Sequence, residues 1–267
     1  VEGAMKILPV GFYKYRVDEG SNRGKIVNFL LKLYYLCFGI PDLHTHIRYR
    51  FIKKLIKNLY TLDVGAGEGI ISFQLATIGI NNITISPYSL KEANYAIKVK
   101  QSNIMFKEIQ VVPDDAQELY SFKDESFDQI LVIDVFEHVK DLNKSIKAVI
   151  SKLKPGGRLV VSVPTNYYPE FFGQKFDKEI GHLRHFSENE LRNIFERSYG
   201  MNIEFLEPYT FYYTSKLCHV YYDILGSSLL KHILMPILNF ISIFTENLHV
   251  RPSSEIAAVF VKPLKKR

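Results

Sequence analysis

From residue 59 onward the apolar positions follow two alternating rhythms. Short continuous runs occur at 60–64, 83–85, 109–112, 129–133 and 158–163, each bounded by Gly, Pro or polar residues. Between them the apolar residues return every three or four positions. Leu142, Ile146, Val149, Ile150 and Leu153 mark one face of a helix, which Pro155-Gly156-Gly157 ends. Residues 70–78, stopped at Gly79, and 90–100 read as further helices. Ser187 opens another, to about Ser198, with Glu190 three residues on as a capping box. Residues 203–206 and 256–261 are the last strands. Continuous apolar strands are expected where both faces are covered. Strand–helix alternation of this kind predicts an α/β fold, an open parallel sheet with helices on both faces.

The flanks differ. Residues 21–39 and 43–58 read as two helices split at Gly39-Ile40-Pro41-Asp42, where Pro41 cannot continue the first and Asp42 can cap the second. The stretch 208–250 is too long for a loop and reads as a helical insertion. This divides the chain into an N-terminal helical cap (1–58), a core (59–207), the insertion as a lid (208–250), and a last core strand with a basic tail (251–267). No stretch reads as a membrane span, which needs about 20 mainly apolar residues. Residues 26–40 are too few and include Lys32, and 224–244 are interrupted by Lys231, His232, Pro236 and Asn239. Both read as amphipathic or buried helices, or as segments lying in an interface.

With 267 residues, 47% hydrophobic and 23% charged, the chain is neither disordered, collagenous nor a coiled coil as a whole. Its two cysteines, Cys37 and Cys218, make no disulfide framework and no zinc spacing, which points to a reducing, cytoplasmic setting. No signal-peptide pattern opens the chain, and residues 1–4 before Met5 look like an expression remnant. The net charge of +6 is uneven: residues 6–58 hold eleven Lys/Arg against three Asp/Glu, while 59–261 sum to −5. The last six residues add +4 and read as a solvated tail. The basic segment suits an anionic membrane surface or nucleic acid, or is simply a solvated face.

Leu62-Asp63-Val64-Gly65-Ala66-Gly67-Glu68-Gly69 follows the first strand and opens a helix. In open α/β sheets ligands bind beyond the carboxyl ends of the strands. A dinucleotide loop puts a third glycine three positions after the second, but here that position is Ile70. Asp63 and Glu68, about 5–8 Å from a pyrophosphate, would each repel it by about 1 kcal/mol or more at an effective dielectric of 20–40. The same carboxylates suit a ligand carrying an ammonium and a sulfonium, so the electrostatics favour S-adenosylmethionine over a nicotinamide dinucleotide.

Three later motifs accompany the loop: Asp114-Asp115-Ala116; Phe127-Asp128 through Asp134-Val135-Phe136-Glu137-His138-Val139; and Leu153-Lys154-Pro155-Gly156-Gly157-Arg158-Leu159. In order and spacing these resemble the class I S-adenosylmethionine-dependent methyltransferases, of the type 11/12 kind, over about residues 59–207 plus the final strand. The resemblance implies a Rossmann-like, mostly parallel sheet with an antiparallel last strand. It implies that Asp63, Gly65, Ala66 and Gly67 hold the methionine part of the cofactor. Asp115 and Ala116 match the pair beside the adenine, and Asp134 and Val135 the end of the fourth strand, facing the methionine amine. Many members place Asp or Glu at the end of the second strand for the ribose. In Asn82-Ile83-Thr84-Ile85-Ser86-Pro87 that position is Thr84, and the Thr84–Ser86 version looks like the cyclopropane-fatty-acid synthase and tocopherol-type branch.

Methyl transfer requires the acceptor in line with sulfur and carbon, at about 3–3.5 Å. It requires a general base only if the acceptor loses a proton. His138, just after the fourth strand, and His182 and His185, in Gly181-His182-Leu183-Arg184-His185-Phe186, are the candidate bases. His44 and His46 have metal-like spacing without a third ligand nearby, and no metal is expected. The acceptor must be covered by the N-terminal helices and the insertion, whose residues are apolar and aromatic: Leu30, Leu31, Leu33, Tyr34, Tyr35 and Phe38 on one side, Tyr209, Phe211, Tyr212, Tyr213, Tyr221 and Tyr222 on the other. Such surfaces pack on each other or enclose an apolar ligand. The expectation is a methyltransferase for a small-molecule or lipid-like acceptor: an isoprenoid quinone precursor, a lipid or a lipid-linked sugar. Peripheral contact with an anionic inner membrane face goes with it. The alternatives are a nucleic-acid methyltransferase, disfavoured because Asp134-Val135-Phe136-Glu137 replaces the Asn-Pro-Pro-Tyr-like motif that holds a flipped base, and a non-catalytic binding protein on the same fold.

Overall fold

The computed structural model describes residues 26, 29, 30, 33, 34, 42–224 and 229–265. The expected break at 39–41, most of the expected 21–39 helix, Leu31, Tyr35, Cys37, Phe38, residues 1–4 and the final Lys266 and Arg267 lie outside the described residues. Within 21–39, Ile26, Phe29, Leu30, Leu33 and Tyr34 are helical.

Seven strands form one sheet: β1 (Thr61–Val64), β2 (Ile83–Ser86), β3 (Gln110–Val111), β4 (Phe127–Ile133), β5 (Leu153–Pro164), β6 (Asn202–Phe211) and β7 (Ser253–Val261), in the order β3-β2-β1-β4-β5-β7-β6. β1 to β5 pair in parallel, and β7 runs antiparallel to both β5 and β6. The last strand in sequence is thus the antiparallel one. Strand order reverses between β1 and β4, which opens a crevice at their carboxyl ends.

Nine α-helices surround the sheet among the described residues: α1 (Leu43–Ile52), α2 (Ile70–Ala76), α3 (Leu90–Ser102), α4 (Leu142–Lys152), α5 (Tyr168–Phe172), α6 (Gln174–Glu179), α7 (Glu188–Arg192), α8 (Tyr212–His219) and α9 (Leu229–Thr245). In β4, Leu131 joins a core with Phe73, Ile85 and Val99 on one face, while Ile130 and Val132 join Leu62, Ile146 and Val149 on the other. Both faces are buried, so successive residues must be apolar, each such side chain contributing about 1.5–3 kcal/mol. Ser89 and Ser187 each make a full capping box, with Glu92 and Glu190.

The differences from expectation have local causes. α1 ends at Ile52 rather than 58, because Gln129 takes both the N–H (3.1 Å) and the carbonyl (3.1 Å) of Lys57 and turns the chain into β1. Asp42 stands at the N-cap of α1, but its carboxylate accepts from the Thr45 hydroxyl and the Tyr222 phenol instead of the helix backbone. β5 begins at Leu153, earlier than 158; Gly156, at φ +77°, lets the chain turn while its N–H reaches the Lys262 carbonyl (2.8 Å). The helix from Ser187 passes into a π turn over Asn193–Ser198. β6 continues to Phe211, so the helical segment opens at Tyr212. Lys262, expected in a solvated tail, instead donates to the carbonyls of Ile150 (2.9 Å) and Leu153 (2.7 Å).

A third apolar cluster roofs the crevice. Leu43 and Ile47 of α1, Tyr168, Phe171 and Phe172 of α5, Cys218, Tyr221 and Met235 pack together, with Tyr34, Leu234 and Leu238 against them. The inward grease of the cap and the insertion is therefore their own shared core. Phe51 stacks on Tyr209 at 4.4 Å between ring centres, within the core on one face of the sheet.

Candidate active site

The loop after β1 turns on three glycines with positive φ: Gly65 (+64°), Gly67 (+54°) and Gly69 (+79°). A Cβ on Gly65 would stand 2.6 Å from Val135 Cγ2, so the loop after β4 presses directly on the loop after β1. A Cβ on Gly67 would meet only Glu92 Oε1, at 3.7 Å. The N–H groups of Gly65 (2.8 Å) and Ala66 (3.3 Å) both donate to the Ser86 carbonyl. They are committed to β2 and do not serve an anion.

Beside this loop lies a cavity of about 380 Å³ whose lining includes Thr45, Arg48, Asp63, Gly67, Glu92 and Asp134. Asp63 is buried at the end of β1 and accepts from Ser72 Oγ at 2.6 Å. Burial raises its carboxyl to about 7, against the pull of Ser72. Asp134 follows β4 with φ +53°, a left-handed conformation that Asp tolerates better than most residues. Its Oδ1 accepts from Ser162 Oγ (3.2 Å) and its Oδ2 is paired with the Arg48 guanidinium. Burial lifts Asp134 to about 6; Arg48 opposes this and Glu255 adds to it.

Arg48 comes from α1, outside the sheet. It also reaches Glu255 Oε1 of β7 at 3.3 Å, yet its buried Nε has no partner. Burial alone would raise the Glu255 carboxyl, but His44, whose Nε2 lies 2.6 Å away, and Arg48 hold it far below the ordinary range. The Tyr209 phenol donates to it as well. The His44 imidazole is thus engaged by a carboxylate of the sheet.

On the far side of Arg48 and Asp134 lies a second cavity of about 190 Å³, lined also by Glu137, His138, Tyr168, Ile180, His182 and Glu255. Glu137 is fully buried and neither of its carboxylate oxygens has a partner. Burial, then the charge of Asp134, push it well above the ordinary carboxylate range. His138 is half exposed; its Nδ1 is 3.1 Å from the Gly181 carbonyl and its Nε2 3.8 Å from Glu137 Oε1. His182 Nδ1 lies 2.7 Å from Asp177 Oδ1, a buried carboxylate of α6. A donated Nδ1–H leaves Nε2 as the lone pair of His182. Burial lowers the His182 pKa, more than the Asp177 bond restores it. His185 turns its Nε2 to the same Asp177 oxygen, at 2.9 Å, and does not line the second cavity. Two groupings bring ligand atoms within 4.8 Å of one another: Glu137, His138 and His182, and Asp177, His182 and His185.

The crevice therefore collects Asp63, Gly65, Ala66, Gly67 and Asp134 around one cavity, with Val135 packed behind Gly65, and His138 and His182 around the next. Thr84 and Ser86 do not line either: both are buried in β2 and their hydroxyls have no partner. On that side Glu92 lines the first cavity, its Oε2 accepting from Ser89 Oγ (2.8 Å) while Oε1 faces Gly67. Asp115 sits beyond β3, its Oδ1 accepting from the Gln117 N–H (2.8 Å), and the Ala116 carbonyl accepts from Ser145 Oγ (2.8 Å). Arg48, Asp177, Glu255 and Glu92 were not read from the sequence. Only Glu92 had a local signal there, the Ser89-x-x-Glu92 capping pattern.

The donors present fit a zwitterionic, sulfonium-bearing ligand. A buried carboxylate, Asp63, and a partly buried one, Asp134, both raised toward neutral pH, gain from a nearby cation, and an unpartnered buried guanidinium N–H gains from a carboxylate.

A family model described as a methyltransferase domain matches residues 40–204. The ubiquinone biosynthesis O-methyltransferase of Rickettsia typhi is 26% identical over 132 residues, covering 47% of this chain and 52% of the relative. A sterol 4-C-methyltransferase of Caenorhabditis elegans is 28% identical over 152 residues, 55% and 43% of the two chains. The chain spans about half the length of the curated relatives it matches. Among solved structures, the geranyl diphosphate C-methyltransferase of Streptomyces coelicolor superposes with a TM-score of 0.58 at 13% identity, over 80% of this chain and 76% of that one. That likeness is one of fold.

Proposed function

The chain belongs to the methyltransferase-domain family, and from that footing we propose that it is an S-adenosylmethionine-dependent methyltransferase acting on a hydroxyl of a lipid-like acceptor. The observation that carries this reading is the meeting of two cavities at one ion pair. Arg48 and Asp134 line both, so a donor in the first faces an acceptor in the second.

S-adenosylmethionine, when bound, supplies a methyl carbon activated by a positive sulfur. Asp63 and Asp134 would hold its ammonium and Arg48 Nε its carboxylate. Gly67, lacking a side chain, leaves room above the loop, and Glu92 is the carboxylate placed for ribose hydroxyls. Asp115 and Ala116 are assigned to the adenine. In the acceptor cavity, Asp177 fixes the tautomer of His182 so that Nε2 takes the hydroxyl proton as the new bond forms. The lowered pKa keeps His182 in its basic form near neutral pH. His138, held by Gly181, orients the acceptor. The packed roof of Tyr168, Phe172 and Met235 keeps water out. A phenol on an isoprenoid quinone precursor meets these requirements, and the named activities of the two curated relatives, on a quinone precursor and on a sterol, point to the same lipid-like class.

A second reading is favoured by Glu137, whose two oxygens are buried without partners. A divalent cation on Glu137, His138 and His182 would then activate the hydroxyl. Calorimetry with S-adenosylmethionine and its demethylated product is expected to give binding, and a folded protein giving no heat with either would end the proposal. Turnover of a prenylated catechol that survives exhaustive chelation selects the His182 base; its loss, restored by added cation, selects the metal.

A further inference from the structure

The helix α9 is built inside out. Met235, Asn239, Ser242 and Glu246 form one stripe, turned inward. Three of these four are polar. Arg50 of α1 gathers them, donating from Nη1 to Asn239, from Nη2 to Ser242, and from Nε to Glu246 Oε2 at 3.3 Å. The outward stripe is Ile233, Ile237, Phe240 and Phe244, the same rhythm offset by two residues, about 200° around the helix. Phe240 is 62% exposed and Phe244 60%, with Leu230 and Ile241 widening the stripe. A surface helix ordinarily buries its apolar side and wets its polar side. Here the polar side is buried against the protein and the apolar side faces out.

Exposed apolar side chains also occur before α1: Ile26, Phe29, Leu30 and Leu33 follow helical spacing and are all exposed, while Tyr34 packs against the same roof cluster as Leu234 and Leu238. Among the described residues nothing covers either stripe, and no helix is long and apolar enough to cross a membrane.

Charge selects the occupant. Between Asp223 and Glu246 the sequence has no acidic residue, and Glu246 is turned inward to Arg50. The groove at the C-terminal end of α9 is lined by both signs, Lys54, His249 and Arg251 with Glu188, Glu207 and Glu246, and Arg251 pairs with Glu188 (2.9 Å), so the positive charge beside the stripe comes from elsewhere. On the neighbouring α8, tied to α9 by Thr214 Oγ1 to Thr245 Oγ1 (2.9 Å), stand exposed Tyr212, Tyr213 and Lys216. Residues 6–58 carry a net charge of +8. An apolar stripe free of acidic residues, flanked by Tyr212, Tyr213 and Lys216 and by a basic N-terminal segment, matches a bilayer interface carrying negative headgroups. Two copies meeting through this face would bring like charges together.

We propose that the outward face of α9, with the exposed Ile26–Leu33 side chains beside it, lies in the surface of an anionic bilayer and docks the roof of the site against it. This is independent of the reaction assigned above. The chain has no tryptophan, so Phe240→Trp in the full chain gives a single fluorescent reporter on an exposed position. With vesicles of mixed phosphatidylcholine and phosphatidylglycerol, the protein is expected to float with the lipid at low salt and less so at high salt. The Trp emission is expected to shift to the blue and to be quenched by brominated acyl chains. The double variant Phe240→Ser/Phe244→Ser is expected to partition at least about tenfold less, with an unchanged melting temperature and unchanged S-adenosylmethionine calorimetry. No flotation at low salt, flotation with unshifted emission, or flotation indifferent to the double variant would overturn the proposal. So would a dimer in sedimentation that the double variant abolishes, which would assign the face to a second copy.

Discussion

The two cavities that meet at Arg48 and Asp134 are built in different ways. The donor side is lined mainly by loops that each follow a single strand, Asp63 to Glu68 and Asp134, whose residues stand within short motifs, with Thr45 and Arg48 of α1 and Glu92 of α3 beside them. The acceptor side is assembled from parts remote in the chain: Arg48 of α1, His182 and its partner Asp177, and Glu255 of β7. A backbone turn can be specified locally, because positive φ and missing side chains are properties of adjacent residues. A buried ion network cannot, because each charge is tolerable only once its distant partner arrives.

That contrast can be broken at its hinge. Arg48→Met would leave Asp134 and Glu255 close together without their cation. The expected cost is about 3–5 kcal/mol in denaturant unfolding, together with loss of S-adenosylmethionine binding. If the variant is as stable as the parent, the network is not what joins the halves. Next in size, His182→Ala is expected to lower kcat by about 10²–10⁴ while the calorimetric affinity for S-adenosylmethionine stays put. A matching fall in donor affinity would show that the two sides are not separable. Asp177→Asn should shift the pH–rate profile through His182, and Asp177→Glu should recover part of the lost rate.

The donor side has its own pH signature. Asp63 titrates near 7 in the folded protein, well above its value in an unfolded chain. The folded state therefore holds the proton more tightly. Its contribution is full below about pH 4 and is lost as pH rises through about 7, at roughly 4 kcal/mol as an upper bound. Asp63→Asn should flatten this part of the stability curve, and S-adenosylmethionine binding by the parent should strengthen as pH rises through the same window. The smallest contrast lies within the loop. Gly65→Ala combines a positive φ with a Cβ 2.6 Å from Val135, and backbone strain and overpacking together are expected to cost about 2–5 kcal/mol of stability. Gly67→Ala meets only Glu92 Oε1, at an ordinary contact distance of 3.7 Å, so just the backbone cost of about 1–2 kcal/mol applies. Equal melting temperatures for the two variants would contradict the packing of Val135 on Gly65.

The legibility of the molecule follows the same division. β4 could be read from residues 129–133 because both faces of the sheet are covered, which forces an unbroken apolar run. The capping box at Ser187 was readable because its partners are three residues apart. The antiparallel last strand came only through family resemblance, since pairing direction leaves no local mark. Nothing local marks the end of α1, because the residue that holds the turn after it, Gln129 on Lys57, lies 72 positions away. Thr84 and Ser86 illustrate a different limit. Strand position says that they share a face with each other, not whether that face opens to a ligand, and here they are enclosed. The tyrosines and leucines of 208–250 announced a greasy cover. Only the helix phase of α9 against Arg50 separates the residues that face in from those that face out.

The position of β7 has a consequence for biosynthesis. Arg48 and Glu255 are 207 residues apart, and at about 5–20 residues per second a ribosome needs roughly 10–40 s to travel that far. Asp134 reaches Arg48 early in that interval, but Glu255 does not, and β6, once made, has no β7 to lie against. The ion network at the meeting of the two cavities is therefore complete only after β7 has slipped between β5 and β6.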